Sequence, residues 1–151
     1  MTAAKARTAA AGRPFVDGEV PDYHLIPEVA VRAVPRKGLG VVALRPITAG
    51  ELVECCPVLL LTPAPRLDAN WRRLHRVMLE TVFTDYIFDW GRGRGAVALG
   101  YGGLYNHSSH PNARTVRHLR ERRMSIVALR DIAAGEEITI SYNQVWFEPV
   151  E

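Results

Sequence analysis

The sequence predicts a β-dominated α+β domain, and three observations predict it. Short apolar or alternating runs recur between Gly- and Pro-containing turns, a single segment carries helical spacing, and 48% of the 151 residues are hydrophobic. At this length that much apolar material builds one core without disulfide staples, and many short strands with one helix describe an α+β domain.

The elements follow in chain order. Residues 1–14 are rich in Ala, Arg and Gly without apolar periodicity, so a disordered leader is expected there, with a single folded domain over 25–149. Val29, Val31 and Ala33 alternate, the segment Pro35-Arg-Lys-Gly-Leu-Gly40 follows, and a second apolar run starts at Val41, which predicts a hairpin with a glycine-rich turn.

Residues 43–51, Ala-Leu-Arg-Pro-Ile-Thr-Ala-Gly-Glu, recur as Ala-Leu-Arg-Asp-Ile-Ala-Ala-Gly-Glu over 128–136, identical at seven of nine positions. The shared unit reads as strand, short turn, strand, leading into Leu52–Leu61 in the first copy and Ile138–Tyr142 in the second. Two copies are too few for a solenoid.

Trp71, Leu74, Val77 and Met78 fall at helical spacing between Asn70 and Glu80 and predict the one helix. Thr84–Trp90 returns to β-rich composition, Gly91-Arg-Gly-Arg-Gly95 is a turn, and Ala96–Leu99, Arg114–Leu119 and Met124–Leu129 are further short strands. Between them lies Gly100–Asn112, too polar and glycine-rich for a strand or helix, with Asn106 beside His107 and Pro111 before Asn112. It reads as a functional loop whose glycines allow close backbone approach.

Charge and cysteine usage narrow the function classes. The net charge is +3 with a pI near 9.1, short of the clustered basicity of a dedicated nucleic-acid binder, so no stable nucleic-acid binding is expected. Arg117, Arg120, Arg122 and Arg123 read as a solvated hairpin face. Cys55 and Cys56 are adjacent and cannot form a disulfide framework, which points to a reducing compartment. No apolar run reaches the ~20 residues of a membrane helix, and the first residues lack the apolar centre of a secretory signal. A cytoplasmic location is expected, or a nuclear one in a eukaryote, with no membrane partner. His107, His110 and His118 are close in sequence but match no standard metal-ligand spacing, so no metal site is expected.

Four separated elements then line up: Arg36-Lys-Gly-Leu-Gly40, Tyr86-Ile-Phe-Asp89, Leu104-Tyr-Asn-His-Ser108 with Pro111-Asn112, and Gly135-Glu-Glu-Ile-Thr-Ile-Ser-Tyr142. Their order and spacing resemble the SET-domain protein lysine methyltransferases over about Val29 to Phe147. The resemblance implies several small curved sheets with one helical insert and a C-terminal pseudoknot, in which the C-terminal segment threads under the Asn-His-Ser loop and brings Tyr142 beside Asn106 and His107.

It also implies roles. Lys37, Gly38, Leu39 and Gly40 would bind S-adenosylmethionine together with Asn106, His107 and Trp146. Tyr142 would be the catalytic tyrosine, and Tyr86, Tyr105 and Phe147 would line the lysine channel. The implied partner is a protein substrate presenting a lysine, such as a histone or another basic chromatin or ribosomal protein. The cysteine clusters that flank many SET domains are absent, and Thr115 and Ile140 stand near positions where other members carry an aromatic that tunes the number of methyl groups added. Two other readings of the residues stay open: a SET-like protein-binding module without catalysis, and a metal-dependent hydrolase. Oligomeric state is not legible.

Overall fold

A long, mostly apolar run interrupted by Glu54 and Pro57 becomes the longest strand among the described residues, as expected of a strand largely covered on both faces. In the computed structural model, which describes residues 12, 14–18, 28–61, 82–92 and 94–142, this is β3 (Leu52–Leu61), buried continuously from Leu52 to Cys56. The helix expected over Asn70–Glu80 and the pair Trp146 and Phe147 lie outside the described residues.

The other strands are β1 (Val29–Val34), β2 (Gly38–Ala43), β4 (Ile87–Asp89), β5 (Gly95–Ala98), β6 (Asn106–His107), β7 (Ala113–His118), β8 (Arg123–Ala128) and β9 (Glu137–Ile140). A 3-10 turn, Val82–Tyr86, leads into β4. They form two sheets, ordered β1-β2-β9-β6 and β4-β5-β3-β8-β7. All pairings are antiparallel except β6 with β9, which places Asn106 opposite Thr139 and His107 opposite Ile140. Between the sheets a shared core packs Val41, Cys56, Trp90, Met124, Ile126 and Ile138. Both cysteines are buried and neither is in a disulfide, and among the described residues no helix is long and apolar enough to cross a membrane.

The internal repeat has a structural cause. Each copy is too short to satisfy its own backbone, and the two satisfy one another about a local two-fold. Ile47 and Ile132 exchange N–H to O=C bonds of 2.9 and 2.8 Å. Ala43 N–H donates to Glu136 O and Ala128 N–H to Glu51 O, both at 3.0 Å, while Gly135 and Gly50 return bonds to the carbonyls of Ala43 and Ala128 at 2.7 and 2.9 Å. Gly50 and Gly135 sit at φ +79° and +83°, a region costly for a residue with a Cβ, which explains why both copies carry glycine there. Each copy's glutamate caps its own turn, from Thr48 N–H to Glu51 and from Ala133 N–H to Glu136, and pairs with its own arginine, Arg45 or Arg130. Strand-turn-strand was legible in the sequence, and the mutual pairing of the copies is what the fold adds.

Two expectations are corrected. Pro14, assigned to the leader, forms a β-bridge with Glu51, and Phe15 N–H donates to Gly50 O at 3.0 Å, so this stretch packs on the domain well before residue 25. The Asn106–His107 pair, expected within a loop, is strand β6.

Asn112 ties the loop to β9. It is 2% exposed, its amide accepts from Thr139 N–H at 2.8 Å, and its Nδ2 donates to Glu137 O at 2.7 Å and to Glu136 Oε1 at 3.1 Å. Replacing Asn112 by Ala leaves a buried N–H and a buried C=O without partners, and should cost about 2–4 kcal/mol of unfolding free energy by urea titration. A loss below about 0.5 kcal/mol would contradict the clamp.

Candidate active site

Tyr142 is placed by its backbone and its side chain at once. Its N–H donates to His107 Nδ1 at 3.0 Å and its hydroxyl donates to the Tyr105 carbonyl at 2.8 Å, so both ends of the residue are held by the segment that β9 pairs with. The His107 ring lies against the Tyr142 ring with centroids 5.3 Å apart. Burial raises the Tyr142 hydroxyl above the ordinary phenol range, with neighbouring Tyr86 and Asp85 adding to the effect, so it stays a neutral hydrogen-bonding group at physiological pH.

Beneath the loop lies a carboxyl that carries it. Glu54 of β3 is 5% exposed and accepts from Tyr101 N–H at 3.0 Å and from the Tyr105 hydroxyl at 2.9 Å. A charged residue between Val53 and Cys55, inside an otherwise apolar run, was the available sign of a buried carboxyl with dedicated donors.

Two cavities flank Tyr142. One, of about 370 Å3, is lined by Lys37, Gly38, Leu39, Leu104 and Asn106. The other, of about 130 Å3, lies between the two edge strands of the five-stranded sheet and is lined by Phe88 and Asp89 of β4, Thr115 and Arg117 of β7, and Ser141. Asp85, Tyr86, Gly103 and Tyr142 line both. Gly103 faces Tyr86 where the two cavities share their lining, and an added Cβ there would stand 3.4 Å from the Tyr86 ring.

The structure thus gathers Lys37, Gly38, Leu39, Asn106, Tyr86 and Tyr142 at one place. Asn106 Nδ2 donates to Leu39 O at 3.1 Å and to Glu137 Oε1 at 2.7 Å, and Lys37 Nζ lies 3.9 Å from Glu137 Oε2. Gly40 sits behind them in β2, where a Cβ would fall 2.7 Å from both Asn106 Nδ2 and Glu137 Oε1.

Three expected positions change. Tyr105, expected as a channel wall, is 1% exposed, with its hydroxyl committed to Glu54; only its backbone carbonyl reaches Tyr142. His107, expected at the cofactor, lines neither cavity and instead holds the Tyr142 backbone. Thr115 lines the smaller cavity, whereas Ile140 is 1% exposed in the core. The remaining histidines diverge: His110 Nδ1 lies 3.0 Å from Ser109 Oγ at the surface, while buried His118 bonds Ser125 at 2.9 Å. No cluster of three metal-capable side chains occurs among the described residues. Sequence reasoning missed Glu54, Asp85 and Gly103.

Burial pushes the Glu54 carboxyl up, against hydrogen bonds from Tyr101 and Tyr105 that favour the carboxylate. A raised folded-state pKa means that folding binds the proton more tightly, so the associated stability is present below the unfolded carboxyl range and is lost as pH rises through the folded value. Glu54→Gln, which does not ionise, should therefore gain stability relative to wild type as pH is raised from about 4 to about 8, read from urea unfolding across that range. A difference that does not vary with pH would contradict a raised Glu54.

Residues 38–143 match the sequence profile of the SET domain. The chain is 35% identical over 119 residues to a Schizosaccharomyces pombe histone-lysine N-methyltransferase specific for lysine 37 of histone H3, an alignment spanning 78% of this chain and 76% of that protein. Among solved structures it is similar to a Plasmodium falciparum protein described as a histone methyltransferase, with a TM-score of 0.61 and 27% identity, covering 82% of this chain and 100% of that one. The curled sheets, the parallel pairing of β6 with β9 and these matches agree that the chain belongs to the SET-domain family.

Proposed function

We propose that the protein is a protein-lysine N-methyltransferase that uses S-adenosylmethionine, with the donor in the larger cavity and the target lysine in the smaller. The observation that carries this reading is the junction: two cavities of unequal size meet at Gly103 between Tyr86 and Tyr142.

The residues present fit such a donor. The larger cavity has the size of a small-molecule site. Lys37 offers a cation to a carboxylate, and Asn106 uses its Nδ2 on Leu39 and Glu137, which leaves Oδ1 to accept from a ligand amine. When bound, S-adenosylmethionine supplies an electrophilic sulfonium methyl. Attack by a neutral amine moves positive charge without creating an anion, so alignment and exclusion of water carry more weight than an oxyanion hole.

The chain's own residues supply that alignment. Because the Tyr142 proton is committed to the Tyr105 carbonyl, toward a second group this hydroxyl can only accept. An amine donating an N–H to it has its lone pair directed elsewhere, toward the junction. Lysine reaches the reactive form only after losing a proton, at a cost of about 4–5 kcal/mol at neutral pH. The small cavity, walled by Tyr86, Phe88 and Tyr142, disfavours the charged form and offsets part of that cost. The S. pombe relative's specificity makes histone H3 the first substrate to test. Such a substrate is met in the cytoplasm, or in the nucleus of a eukaryotic cell.

Calorimetric titration with S-adenosylmethionine should show binding, and Tyr142→Phe should keep that affinity within about twofold while losing methyl transfer to histone H3 by roughly 10- to 100-fold. No heat at millimolar cofactor would overturn the reading, and unchanged turnover in Tyr142→Phe would remove the hydroxyl from its role.

A further inference from the structure

Among the described residues, the charged side chains around the two cavities are paired, with one exception. Lys37 lies 3.9 Å from Glu137, and Arg117 bonds both the backbone carbonyl and, at 3.1 Å, the carboxylate of Asp89. Asp85 has no hydrogen bond or ion pair among the described residues, although it lines both cavities beside Tyr86, Gly103 and Tyr142. It is exposed and sits at the end of the 3-10 turn, one residue before Tyr86. An unpaired carboxylate at a narrow junction attracts a cation, and the lysine side chain arrives as one.

Resting on the methyltransferase reading above, we infer that Asp85 is the carboxylate that draws the target lysine's ammonium group to the junction of the two cavities. The attraction has a second consequence. An adjacent negative charge favours the protonated amine, so the same residue that helps capture the substrate holds back its conversion to the nucleophile. Capture and deprotonation are opposed at this position. Among the described residues the other charged groups near the junction, Lys37 with Glu137 and Asp89 with Arg117, form neighbouring pairs whose fields largely cancel, which leaves Asp85 as the one charge there without a described partner.

The test compares wild type, Asp85→Asn and Asp85→Glu in methyl transfer from labelled S-adenosylmethionine to a peptide library with one fixed central lysine and degenerate flanks. Asp85→Asn is expected to raise the apparent KM by about two- to fivefold, an effect that shrinks in ~1 M salt, and to move the acid limb of the kcat–pH profile down by roughly half a unit. Asp85→Glu is expected to restore both toward wild type. Among the described residues Asp85 makes no hydrogen bond or ion pair for its Asn variant to break, and equal thermal unfolding midpoints would confirm an intact fold. If wild type turns over and Asp85→Asn matches it in either readout, the inference is overturned while the methyltransferase reading stands. If wild type neither binds the cofactor nor turns over, that reading itself fails.

Discussion

The fold depends on one buried amide. Asn112 presents to β9 the acceptor and donor that a neighbouring strand would offer, taking the Thr139 N–H and giving to the Glu137 carbonyl. β6 is only two residues long and could not by itself hold a parallel neighbour against water. The amide extends that pairing beyond the strand, and Ser108 N–H, donating to Ile140 O at 3.0 Å, extends it along the chain. Everything at the junction inherits this constraint. The loop from Gly100 is pinned at one end by Glu54 and at the other by Asn112, and Tyr142 is held between them by Tyr105 and His107.

Scaffold and site are therefore divided differently from the way a motif suggests. In the Tyr105-Asn106-His107 run, the two rings serve the architecture, and Asn106 is the residue that lines a cavity. A tyrosine with its hydroxyl on a buried carboxyl, and a histidine accepting a backbone N–H, are satisfied polar groups that make position rather than chemistry. In the reading proposed above, the chemistry would fall to the hydroxyl of Tyr142 and the charge of Asp85, residues that line both cavities together with Tyr86 and Gly103.

Much of this was legible because it was local. Alternation and apolar runs marked β5, β7 and β8 to within a residue, as at β7, expected over Arg114–Leu119 and found over Ala113–His118. By contrast, β2 begins at Gly38 rather than Val41, and the first part of the expected Thr84–Trp90 run is a 3-10 turn. The repeated Ala-Gly-Glu turns announced positive φ, which Gly50 and Gly135 adopt. Direction was not legible. Spacing cannot say that the Tyr105 ring turns inward while its carbonyl turns to Tyr142, because the partner that decides it, Glu54, is 51 residues away. Nor could it say that the paired turns of the repeat face each other, since each copy reads the same alone or together. Asp85 was invisible for a related reason: an exposed aspartate before an aromatic is ordinary until the fold sets it where two cavities meet.

The most direct measurement is mass spectrometry of mixed histones incubated with the purified protein and isotope-labelled S-adenosylmethionine. The account predicts labelled methyl groups on lysine side-chain nitrogens. Cofactor binding without any labelled lysine would contradict it.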